Sequence, residues 1–127
     1  MEEARRPRVV VVDDAVFMRR QLRDFLEAGG CDVVAEGEDG SEVLELYETH
    51  RPDLVTLDVV MPRVNGLDAL RELRTRHPEA RVIVCSSLTH EQALFEALRL
   101  GARDYVVKPL NREKFLEAAR KALGNPG

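Results

Sequence analysis

Five short segments rich in β-branched and apolar residues alternate strictly with five longer segments whose apolar residues recur at helical spacing. That alternation is the strongest constraint on the fold. The strands read as Arg8–Val12, Cys31–Ala35, Leu54–Leu57, Arg81–Cys85 and Tyr105–Val107. Val9-Val10-Val11-Val12 is an unbroken β-branched run, which suits a parallel strand buried on both faces better than an edge strand with one wet face. Strand followed by helix, five times over, calls for right-handed crossovers. The expected architecture is therefore an α/β, doubly wound, five-stranded parallel sheet covered by helices on both faces.

The helices are legible from their stripes and ends. Met18, Leu22, Phe25 and Leu26 repeat at helical spacing until Gly29-Gly30, and Val43, Leu44, Leu46 and Tyr47 do so until Pro52. Leu67, Leu70 and Leu73 form a third stripe that ends before Pro78. The fourth helix opens with Thr89 and Gln92 at capping-box spacing and closes at Gly101, with Leu94 and Leu98 at the edge of its stripe. Asn111 is placed to cap the fifth, carried by Phe115, Leu116, Ala119 and Leu123.

The 127 residues fit one domain and leave no room for a second of useful size. No repeat, linker or low-complexity tract interrupts them. No apolar run reaches the roughly 20 residues that span a bilayer, and Met1-Glu2-Glu3 lacks the basic-then-apolar order of a signal peptide, so a cytoplasmic protein is expected. Cys31 and Cys85 have no metal-ligand spacing and read as buried, reduced thiols. The net charge of −4 speaks against broad nucleic-acid affinity. Arg5-Arg6-Arg8 is the one densely basic run, and it reads as a solvated terminus. His50, His77 and His90 lie near helix ends, share no ligand spacing and are assigned no role.

In doubly wound sheets, ligands collect beyond the carboxyl ends of the strands. There this sequence puts Asp13-Asp14 after strand one, Asp58 after strand three, Cys85-Ser86-Ser87 after strand four, and Lys108-Pro109 after strand five. Taken singly, each has a plainer reading: Asp13-Asp14 as a helix cap, Ser86 as a turn residue, Lys108 as a solvated amine. Converging on one rim, they make a site. Three carboxylates held close repel one another and raise each other's pKa unless a cation intervenes. Mg²⁺, which prefers oxygen ligands and keeps several waters, resolves that conflict, and Lys108 adds a compact charge suited to a phosphoryl oxygen. Lysine is rare here, three against sixteen arginines, which gives its place at a strand end more weight.

Asp13-Asp14, Asp58-Val59-Val60-Met61-Pro62 with Gly66 four residues on, Ser86, and Lys108-Pro109 together resemble the response-regulator receiver domain, over about Arg8 to Leu123. Val12-Asp13-Asp14-Ala15-Val16-Phe17-Met18-Arg19 is similar to the chemotaxis type. Val84-Cys85-Ser86-Ser87-Leu88-Thr89 also resembles the receiver half of chemotaxis methylesterases, which keeps a fragment of a larger regulator, methylesterase or DNA-binding, open as an alternative. The resemblance implies a flavodoxin-like sheet of order 2-1-3-4-5. It implies that Asp58 is the phosphoacceptor, that Asp14 is a direct Mg²⁺ ligand, that Asp13 serves the ion through water or from behind the direct ligands, and that the Val60 backbone carbonyl completes the set. It further implies that Ser86 and Lys108 hold phosphoryl oxygens, that Ser86 and Tyr105 report the switched state, and that Lys108-Pro109 is cis. Ser86 stands where threonine is frequent, keeping the hydroxyl but losing a methyl that stiffens χ1.

The implied partners are a sensor histidine kinase and a protein target docking on helix four, strand five and helix five, with neither nucleic acid nor membrane engaged. Two other classes fit less well. An aspartyl-phosphate hydrolase of the haloacid dehalogenase kind needs a second acid two residues after its nucleophile, where this chain has Val60. A flavin or redox module wants a hydroxyl- and Gly-rich phosphate loop after strand one, where two acids stand instead.

Overall fold

The computed structural model describes residues 5–124. Met1-Glu2-Glu3, read above as lacking the order of a signal peptide, lies outside the described residues. The chain runs β1 (Arg8–Val12), α1 (Val16–Ala28), β2 (Asp32–Gly37), a short 3₁₀ turn (Gly40–Glu42), α2 (Val43–His50), β3 (Leu54–Leu57), α3 (Gly66–Arg76), β4 (Val82–Ser86), α4 (Glu91–Arg99), β5 (Asp104–Val107) and α5 (Arg112–Ala122). All strand pairs are parallel, in the order β2-β1-β3-β4-β5. The α/β doubly wound reading holds, and strand boundaries move by one or two residues.

The valine run does what its composition requires. Val10 and Val12 face one core with α2, α3 and α4, while Val9 and Val11 face the other with α1 and α5. All four are at most 1% exposed, so β1 is buried on both sides. Leu22 and Leu26 of α1 and Phe115 of α5 fill the second core, each contributing about 2 kcal/mol through burial.

Helix ends follow local chemistry, with one correction. Gly30 ends α1 in the left-handed region, and the Asn65 and Asn111 side chains accept from the Asp68 and Lys114 amides. The Thr89–Gln92 capping box does not form. Helix α4 begins at Glu91 with His90 at the cap and no side-chain bond there, so Thr89 falls one residue too early to reach the first free amides. A capping box does form elsewhere, between Asp39 and Glu42 at the 3₁₀ turn. Arg5 and Arg6 are not merely solvated: they pair with Asp53 and Asp32, tying the start of the chain to β2 and β3. Cys31 and Cys85 are free and buried as expected.

Candidate functional site

Strand register builds the site. Val12 pairs with Leu57 and Ser86 with Val107, so Asp13, Asp58, Ser86 and Lys108 all arrive at one edge of the sheet. The Asp13 amide donates to the Gly37 carbonyl at 3.0 Å, the Asp58 amide to Val12 at 3.1 Å, and the Lys108 amide to Ser86 at 2.8 Å. The ladder therefore extends one residue past each strand and fixes these backbones before any side chain is considered.

The Lys108 ammonium lies between two carboxylates, 2.7 Å from Asp13 Oδ2 and 3.4 Å from Asp58 Oδ2. Asp13, Asp14 and Asp58 each offer an oxygen within 4.8 Å of the others. Asp13 and Asp58 are buried and Asp14 is exposed, so the cluster has a dry floor and one wet side. Burial pushes the Asp58 carboxyl above its ordinary range, Lys108 pulls it down, and Asp13 pushes it up again. Burial lowers the Lys108 ammonium, but its bond to Asp13 and the two carboxylate charges more than reverse this. A single ammonium thus faces three acids. A hard divalent cation fits both the charge and the all-oxygen donor set.

Ser86 is fully buried at the end of β4, and its Oγ accepts from the Leu88 amide at 3.1 Å. The hydroxyl proton is left free to donate elsewhere. Tyr105, half-buried on β5, donates its hydroxyl to the Leu88 carbonyl at 2.9 Å. The same loop residue is therefore held by both expected switch side chains. Val60 follows Asp58 in the loop with an exposed side chain. The Lys108-Pro109 peptide is cis. Cys85 beside the site is buried, and burial drives its thiol far above the ordinary range, which makes it an inert filler.

Two residues that shape the site escaped the sequence reading. Asp39 accepts from the amides of Ser41, Arg63 and Val64, and these bonds, Ser41's first, hold its carboxyl well below the usual range. It pins the loop after Asp58 to the turn after β2. Arg19, buried on α1, donates to the Asp13 carbonyl at 2.7 Å. Gly66 opens α3 where a Cβ would strike the Asp58 carbonyl.

Comparison with known proteins agrees with this geometry. The family described as "Response regulator receiver domain" matches residues 9–120. The chain belongs to that family and is a receiver domain of two-component signalling. Within the family it is CheY-like: the chemotaxis protein CheY of Bacillus subtilis is 42% identical over 116 residues, covering 91% of this chain and 97% of that protein. A protein-glutamate methylesterase/protein-glutamine glutaminase of Pyrococcus abyssi is 47% identical over 108 residues, 83% of this chain but 29% of that protein. A crystal structure of a CheX-CheY-BeF3-Mg²⁺ complex from Borrelia burgdorferi superimposes with a TM-score of 0.87 at 35% identity, covering 90% of this chain and 87% of that one. The response regulator domain of Thermotoga maritima CheB gives 0.86 at 38% identity, covering 94% and 98%.

Proposed function

We propose that this chain is a phosphoacceptor switch in chemotaxis signalling, in which Asp58 takes a phosphoryl group from a sensor histidine kinase or a small phosphodonor. The observation that carries this reading is the Lys108 ammonium between Asp13 and Asp58, with Asp14 completing a three-acid rim. A carboxylate oxygen of Asp58 attacks phosphorus in line. The bond to the donor atom breaks, and the leaving group departs with its electron pair. Asp13, Asp14, Asp58 and the Val60 carbonyl would hold Mg²⁺, which when bound offsets charge on the phosphoryl oxygens. Lys108 exchanges its contact with Asp58 for one phosphoryl oxygen, and the free Ser86 proton is donated to another. The protein is a switch rather than an enzyme acting on a separate substrate, and works in the cytoplasm as one domain.

Incubation with acetyl phosphate and Mg²⁺ is expected to add one phosphoryl group by intact mass, and none when Mg²⁺ is chelated. Asp58→Asn should remove the added mass entirely. Labelling that persists in that variant would place the phosphoacceptor elsewhere.

For output, α4, β5 and α5 supply the surface. Phe95 is 59% exposed, Leu98 44% and Val107 43%, a set of apolar side chains that a protein target would bury. Tyr105 connects this face to the site through the Leu88 carbonyl. Amide shifts on addition of beryllofluoride and Mg²⁺ are expected to concentrate on α4, β5 and the Leu88 loop. Shifts confined to α1 and α2 would contradict this assignment. The 47% identity to the Pyrococcus abyssi methylesterase keeps a second reading, a receiver cut from such a regulator, which the length of the native open reading frame decides.

A further inference from the structure

Arginine side chains are seldom buried, yet Arg19 is only 9% exposed and sits in the first turn of α1, shortly after the acidic pair. Its guanidinium is committed at both ends. Nη1 donates to the Asp13 backbone carbonyl at 2.7 Å, and Nε donates to Glu36 Oε1 at 3.2 Å. The other Glu36 oxygen accepts from Arg23, which also reaches Glu27. Glu36 itself is fixed in β2, paired in register with Val11 of β1. A brace therefore runs from the second strand, through a carboxylate, to the peptide that joins Asp13 to Asp14.

That peptide matters because of what Asp14 lacks. The Asp13 carboxylate is held at both oxygens, by the Ala15 amide and by Lys108. The Asp14 carboxylate is exposed and makes no hydrogen bond or ion pair among the described residues, although it lies within the three-acid cluster. With no side-chain partner, its place depends on the backbone that carries it. The Asp13 carbonyl lies past the last β1–β2 pair, and the donor that fixes its peptide plane is Arg19. Buried polar groups are retained where their loss would leave a partner unsatisfied, and here that partner is a carbonyl one bond from Asp14.

We propose that Arg19 is a positioning residue for divalent-cation binding: braced by Glu36, it sets the Asp13–Asp14 peptide and so aims Asp14 at the ion. This rests on the acidic rim being the cation site, as in the reading above. Arginine is required for its geometry as much as its charge, since lysine cannot span the carbonyl and Glu36 with a rigid fork.

The test is calorimetric titration of the intact chain with Mg²⁺ alone, run on wild type, Arg19→Lys and Glu36→Gln, with circular dichroism confirming that each is folded. Arg19→Lys is expected to weaken Mg²⁺ binding by roughly tenfold, the usual scale for a group that orients a metal ligand. Glu36→Gln should give a smaller loss in the same direction, and decides the matter if the lysine variant does not fold. Phosphorylation of Arg19→Lys by acetyl phosphate should be slow at limiting Mg²⁺ and near wild type at saturation, which a loss of stability alone would not produce. Folded variants with unchanged Mg²⁺ affinity would overturn the proposal and leave the phosphoacceptor reading standing. A wild type that binds no Mg²⁺ would overturn both.

Discussion

Gly66→Ala is expected to cost about 3 kcal/mol or more of stability, because overpacking here meets backbone and not a flexible side chain. A Cβ at this position would collide with the Asp58 carbonyl oxygen, and would lie 2.8 Å from the Asp58 carbonyl carbon and 2.9 Å from Val59 Cα. The Gly66 amide is also bonded to the Val59 carbonyl at 2.7 Å, so α3 cannot retreat without breaking that contact. For a domain of this size the loss corresponds to roughly 10 °C in Tm. The molecule can relieve the clash only by moving the Asp58 backbone, so phosphorylation should fall in whatever fraction stays folded. Thermal melts and intact-mass labelling on one preparation measure both. A melting point close to wild type, with normal labelling, would show that the loop after β3 yields more easily than its hydrogen bonds imply.

The second large effect concerns the lifetime of the phosphorylated state. Hydrolysis needs a water aligned opposite Asp58, and by resemblance the side chains that flank its approach are Val60 and Leu88. Val60 is 55% exposed beside the site, and the Leu88 backbone is clamped by Ser86 and Tyr105. Neither side chain can hydrogen-bond to water or orient it, so positional assistance to hydrolysis is weak and the phosphorylated form should be long-lived. Val60→Asn or Leu88→Glu introduces a group that can hold the water. Either should lower the barrier by roughly 1.4 kcal/mol, about tenfold in rate. Phosphate release after removal of the phosphodonor reads this directly. Equal or slower decay in both variants would mean that water positioning does not limit the reaction.

The chemistry-bearing residues were legible because each follows directly on a β-branched or apolar run, where a parallel sheet must present its carboxyl ends. Val9–Val12 announced β1, and Asp13-Asp14 came with it. Asp39 was not legible: its carboxylate reaches Arg63, 24 residues on, across a loop that comes alongside only because β2 and β3 pair to either side of β1. Arg19 lies between Met18 and Leu22 on a helix, where an arginine reads as the wet side of the stripe, and only the carbonyl it meets reveals otherwise. In α4 the leucines stand where the stripe's edge was expected: Leu98 is turned out with Phe95, whose place the spacing did not give, and the buried face is Ala93 and Ala97.

That small-residue face sets the mechanical character of the switch. The buried residues of α1 and α3 include leucines, whereas those of α4 are Ala93 and Ala97. At about 0.8 kcal/mol per buried carbon, prising α4 from its seat demands little work. A charge-assisted hydrogen bond contributes about 1.5–3 kcal/mol, so one or two new contacts at Ser86 and Lys108 match that demand. A helix so lightly seated is the element that phosphorylation at Asp58 is expected to displace first, while the leucine-seated helices hold their places.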